Sequence, residues 1–145
     1  MDCLEKVIAF KKKFPGCLTW RIRRHCSVID KHLNPNEELL YAFAGQLNDN
    51  PLNFFDTGVV AVTSERLIVG QNFIWPGYKF VSITPDMYND CTVKSGFIWG
   101  TIGIDTLKET VWISDLSKKS MPEIETIITT FMQEMKKRYP DREDE

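Results

Sequence analysis

At 145 residues, with 43% apolar and 26% charged side chains, the chain has the size and composition of one folded domain. Its formal net charge is −2, yet residues 1–33 hold eight Lys or Arg against three acids, so this stretch carries +5 and the other 112 residues −7. No apolar run reaches the roughly 20 residues of a membrane-spanning helix, and Met1-Asp2-Cys3-Leu4-Glu5-Lys6 lacks the basic-then-apolar order of a signal peptide. A cytoplasmic location is expected.

A first helix is expected over residues 3–14, with Leu4, Val7, Ile8 and Phe14 near one face. Lys11, Lys12 and Lys13 fall in its last turn, where positive charge suits the helix dipole. Pro15-Gly16 stops it. Leu18, Ile22, Cys26, Ile29 and Leu33 then recur at helical spacing, which predicts a second helix over roughly 18–33. Arg21, Arg23, Arg24 and Lys31 lie mostly off that stripe, and Asn34-Pro35-Asn36 ends it.

After Pro35 the period changes. Residues 38–46 place Leu39, Tyr41 and Phe43 on one side and Leu40, Ala42 and Ala44 on the other, the pattern of a strand covered on both faces. Asn48-Asp49-Asn50-Pro51 is a turn cluster, and the β-branched run 57–63 is the next strand. Ser64-Glu65 connects it to a returning strand at 66–69, and Pro76-Gly77 marks another turn. Further strands are expected near 78–83, 89–94, 97–104 and 109–114, about seven at the cadence of a sandwich or barrel.

The last element is a helix. Ser120-Met121-Pro122-Glu123 reads as a capping box, with Ser120 on the third helical amide and Glu123 reaching back. Ile124, Ile127, Ile128, Phe131, Met132 and Met135 form an apolar stripe that needs a sheet to cover. The expected architecture is mainly β with helices: a basic helical segment at 1–34, a bent antiparallel sheet closed by a helix at 35–140, and an acidic tail at 141–145.

Three stretches carry a resemblance. Leu33-Asn34-Pro35-Asn36-Glu37-Glu38-Leu39-Leu40 is similar to an L-x-x-x-E lead-in to a first strand. Val60-Ala61-Val62-Thr63-Ser64-Glu65-Arg66-Leu67-Ile68-Val69 is similar to a hydrophobic-T-x-x-R-L-hydrophobic hairpin, and residues 96–104 to a glycine-spaced strand pair. Together, over about residues 33–138, they resemble the bacterial PH-like domains, the YokE-like group among them. The resemblance implies a pleckstrin-homology-like fold and a non-catalytic binding or scaffolding module.

The residues supply no competing chemistry. Cys3, Cys17, Cys26 and Cys91 contain no Cys-x-x-Cys pair, and His25 beside Cys26 makes a poor chelate, so no metal or cofactor is expected. His25 and His32 are two turns apart with no nucleophile motif, and the chain is expected not to be an enzyme. Asp86, Asp90 and Asp105 read as turn caps. Gly96, Gly100 and Gly103 read as sites of bending or close packing, and Arg66 as a tie to loop carbonyls or an acid.

Binding remains. The first hairpin, residues 47–53, holds no Lys or Arg, which departs from the basic first hairpin of inositol-phosphate-binding PH domains and argues against a phosphoinositide there. Phe73-Ile74-Trp75 beside a turn is a candidate surface for a protein partner or a second copy, unless it folds back over the barrel end. Alternatively, Lys11, Lys12, Lys13, Arg21, Arg23 and Arg24 offer charge to an anionic membrane or nucleic acid, or to the acidic barrel of a neighbouring copy.

Overall fold

A computed structural model of the chain describes residues 2–16, 21–48, 56–73 and 77–138. Seven strands form one curled antiparallel sheet: β1 (Leu39–Gln46), β2 (Thr57–Thr63), β3 (Leu67–Asn72), β4 (Tyr78–Ile83), β5 (Tyr88–Ser95), β6 (Trp99–Thr106) and β7 (Thr110–Ser117). Their order is β4-β3-β2-β1-β7-β6-β5, and β1 meets β7 only through Gln46 and Ser114. A narrow join between two wide ladders is what lets the sheet curl into a half-barrel. Helix α3 (Met121–Arg138) closes it, as the resemblance implied.

The sheet is not covered evenly. Its inner face packs Phe43, Val60, Val62, Leu67, Ile102, Ile104 and Ile113 against Ile124, Ile128 and Met132 of α3. The outer face of β1–β3 carries Ala42, Ala44, Val59, Ala61 and Ile68. Helices α1 (Cys3–Lys13) and α2 (Ile22–His32) bury that face with Cys3, Val7, Cys26 and Ile29. Every residue of β2 is therefore buried, whereas β5 alternates between half-buried Cys91 and Val93 and exposed neighbours.

Glycine sets two of these contacts. A Cβ on Gly70 would stand 2.6 Å from Ile29 Cγ1, so its absence lets α2 lie against β3. Gly100 does the same for α3, since a Cβ there would run into the Met121 thioether. The Gly100 contact is the close packing expected for the series Gly96, Gly100 and Gly103.

Local differences from the sequence reading have physical causes. The buried face of α1 is Cys3, Val7, Phe10 and Phe14, with Ile8 43% exposed, because Phe10 turns inward to pack on Tyr41 and Phe43. Helix α2 begins at Ile22 because Arg21 takes a left-handed conformation (φ 60°); Cys17 and Leu18 lie outside the described residues. No capping box forms. A 3-10 turn at Lys118–Ser120 starts the helical run earlier, the buried Ser120 hydroxyl donates to the Ser117 carbonyl, and Glu123 is held by other partners. The acidic tail lies outside the described residues.

Candidate binding surface

Residues from two of the three family-like stretches, 33–40 and 60–69, meet in one structural knot. Thr63 ends β2, two turn residues follow, and Arg66 leads into β3; Glu37 sits just before β1. Arg66 Nε and Nη2 donate to the two Glu37 oxygens at 2.9 and 2.8 Å, Nη2 also to the His32 carbonyl at 3.0 Å and Nη1 to Ser82 Oγ at 3.0 Å. Glu37 further accepts from the Asn34 amide and the Thr63 hydroxyl. Burial alone would push the Glu37 carboxyl up; the Arg66 guanidinium, the Asn34 amide and the Thr63 hydroxyl outweigh it and hold it below the usual range. With the Glu37 side chain fully buried and Arg66 only 13% exposed, the pair ties α2, β1, β3 and β4 together.

The histidines are also committed to the fold. The Asn72 amide donates to His25 Nδ1 at 2.9 Å, so the proton belongs on Nε2, which lies 3.0 Å from Thr57 Oγ1. His32 Nδ1 is 2.6 Å from the Val28 carbonyl and its ring stacks on Phe80. Among the described residues no group of three or more His, Cys, Asp or Glu side chains is placed to hold a metal, and no helix is long and apolar enough to cross a membrane.

The six basic residues singled out above have different surroundings. Lys13 pairs with Glu123 at the start of α3, a carboxylate that also accepts from Tyr41 Oη at 2.8 Å. Arg21 donates to Asn72 Oδ1 at the end of β3. Lys11, Lys12, Arg23 and Arg24 are exposed. Arg23 and Arg24 occupy the first turn of α2, which holds no acid, the end where the helix dipole disfavours positive charge. Phe73 is 38% exposed; Ile74 and Trp75 lie outside the described residues, as does most of the first hairpin loop.

Among the described residues the most exposed large apolar side chain is elsewhere. Strand β5 ends at Ser95 and β6 starts at Trp99, leaving Gly96, Phe97 and Ile98 between them; the Gly96 amide donates to the Trp99 carbonyl at 2.8 Å, so Phe97 and Ile98 are the two central residues of the turn. Phe97 is 96% exposed and Ile98 62%. Neither residue has a positive φ, so the backbone makes no demand for Gly, Asn or Asp, and what sets the turn apart is two large apolar side chains in water. On one side of the tip, Ile98 and Trp99 line a recess of about 390 Å³ with Lys13, Phe14, Lys118 and Lys119. Lys118 Nζ reaches the Phe97 carbonyl at 3.3 Å.

On the other side, Phe97, Trp99 and Thr101 line a recess of about 260 Å³ that includes Asp115. A bulge in β7 sets Ser114 and Asp115 opposite Thr101 alone, with Asp115 at φ 58°. Asp115 is 1% exposed, and neither its carboxylate oxygens nor Ser114 Oγ has a hydrogen-bond partner among the described residues. Burial pushes the Asp115 carboxyl up.

Residues 33–130 match the family described as the bacterial PH domain. The chain belongs to that family. Among solved structures, this PH domain is similar to a DUF1696 family protein with a pleckstrin-homology domain from Shewanella loihica PV-4, at 11% identity over 79% of this chain and 92% of that one, TM-score 0.47. It is also similar to a pleckstrin homology domain from Shewanella amazonensis SB2B, at 13% identity over 86% and 94%, TM-score 0.44. No curated protein matches in sequence.

The sequence reading missed the tip of this PH domain for a definite reason. Phe97-Ile98-Trp99-Gly100-Thr101-Ile102 alternates like a strand, so 97–104 was expected to be one. Gly96 was the available signal: it breaks the β5 pattern one residue before the turn.

Proposed function

We propose that this bacterial PH domain is a non-catalytic binding module that docks one end of its sheet, the β5–β6 tip, on another body. The observation that supports this is Phe97 and Ile98 standing in solvent in a two-residue turn, where they add nothing to the core. Two large apolar side chains so exposed bury little within the fold, so a fold-only account leaves the pair unexplained. The polar knot at Arg66 and both histidines are occupied in holding the molecule together, which leaves them unsuited to catalysis. The protein-partner or self-association reading through Phe73 concerns a less exposed residue and ranks second. A cytoplasmic location belongs to the same proposal.

A photoreactive phenylalanine at position 97 of the full chain, compared with one at position 40, tests the reading in cells. Leu40 is also exposed, at 45%, but lies on β1. Strong adducts from 97 and weak ones from 40 are expected; equal yields would refute a dedicated contact end.

A further inference from the structure

The tip has neighbours that select among docking partners. Lys118 and Lys119 follow β7 directly, and the end of α1 brings Lys13 to the same recess beside Ile98 and Trp99. Lys118 and Lys119 form no ion pair among the described residues, while Lys13 is held by Glu123. The arrangement is an apolar point with an indole at its base and ammonium groups set behind it.

Resting on the reading above, we propose that this end docks on an anionic phospholipid surface. Phe97 and Ile98 enter the acyl boundary, Trp99 sits at head-group depth, and Lys118 and Lys119 meet the lipid phosphates. Charge complementarity and shape both favour this occupant. A specific protein interface needs on the order of 1,000 Å² of buried surface, whereas the tip is a narrow turn with two apolar side chains. A lipid surface asks for less: a small apolar insertion beside a few lysines gives reversible attachment. The site is also remote from the first hairpin. Leu47 and Asn48 of that hairpin lie beside Glu109 and Thr110, at the opposite end of β6 from the tip.

Flotation of the full chain with phosphatidylserine-containing vesicles and with phosphatidylcholine vesicles tests this. Binding to the first only, weakened by added salt, is expected. Lys118→Glu with Lys119→Glu should weaken it about tenfold or more, and Phe97→Ser with Ile98→Ser should weaken it comparably. Quenching of tryptophan fluorescence by brominated acyl chains should be largely lost in Trp99→Phe, a substitution that spares both insertion residues. Failure to float with anionic vesicles, or flotation indifferent to both double variants, overturns the inference. If position 97 then yields protein adducts in cells, the docking end stands and its partner is a protein. Absence of adducts as well would remove the docking reading itself.

Discussion

The two halves of the sheet solve burial differently. β2 has helices behind it and a core before it, so Thr57–Thr63 is buried throughout and its sequence is an unbroken small and β-branched run. β5 has α3 on one side only, so Tyr88–Ser95 alternates. The two-faced half holds the fold, and the one-faced half is free to present a turn. Division of labour follows from where the N-terminal helices lie.

The strongest way to break this contrast is to remove those helices. Deleting residues 2–33 would expose Leu39, Val59 and Ile68, each worth about 1.5–3 kcal/mol when buried. That loss is comparable with a domain's whole stability of about 5–15 kcal/mol. The truncated chain should lose cooperative urea unfolding. A sharp transition in the remaining unit would show that residues 35–140 stand alone and that the outer-face contacts matter little.

Next in size is the knot within the covered half. Glu37→Ala leaves Arg66 buried without its acid and should cost about 3–5 kcal/mol in urea unfolding. Because the Glu37 carboxyl is held below its ordinary value in the folded state, its contribution is full above the unfolded value. It is lost as pH falls through the lower folded value. Unfolding of Glu37→Ala should therefore be less acid-sensitive than that of the parent. A smaller effect tests the seat of α2: Gly70→Ala forces a Cβ toward Ile29 and should cost about 1–3 kcal/mol.

The one-faced half predicts effects of the opposite sign. Asp115→Asn removes a charge that is buried without a partner while keeping a residue that accepts the left-handed backbone. It should stabilise the protein by about 1 kcal/mol near neutral pH. Since the folded Asp115 carboxyl is raised, the parent gains stability as pH falls through that folded value toward the unfolded one. The advantage of Asn should shrink over the same interval. Smallest of all, Phe97→Ser with Ile98→Ser should leave the unfolding midpoint within about 0.5 kcal/mol of the parent. A large loss would place the tip in the fold rather than at its service.

The same contrast explains what could be read from sequence. β2 was legible to the residue from its β-branched run, and β4 from the Pro76-Gly77 turn signal before it. Arg66 was legible as a local tie, although its partner Glu37 lies 29 residues away. The capping box failed because Glu123 is claimed by Lys13 and Tyr41, partners that only the fold supplies. The face of α1 was misread because Phe10 reaches round the sheet to Phe43, a demand invisible within one helix. The β5–β6 tip was hidden by an apolar alternation that mimics a strand. Residues that serve the fold obey its periodicities, and the two proposed for docking are set apart by their exposure.

Amide hydrogen exchange mapped along the full chain, with and without phosphatidylserine-containing vesicles, tests the division of labour most directly. Slowest exchange in Thr57–Thr63 under both conditions is predicted, with vesicle-dependent protection confined to residues 96–99 and the adjoining Lys118–Ser120 turn. Protection appearing instead on the exposed faces of α1 and α2, with the tip unchanged, would contradict it.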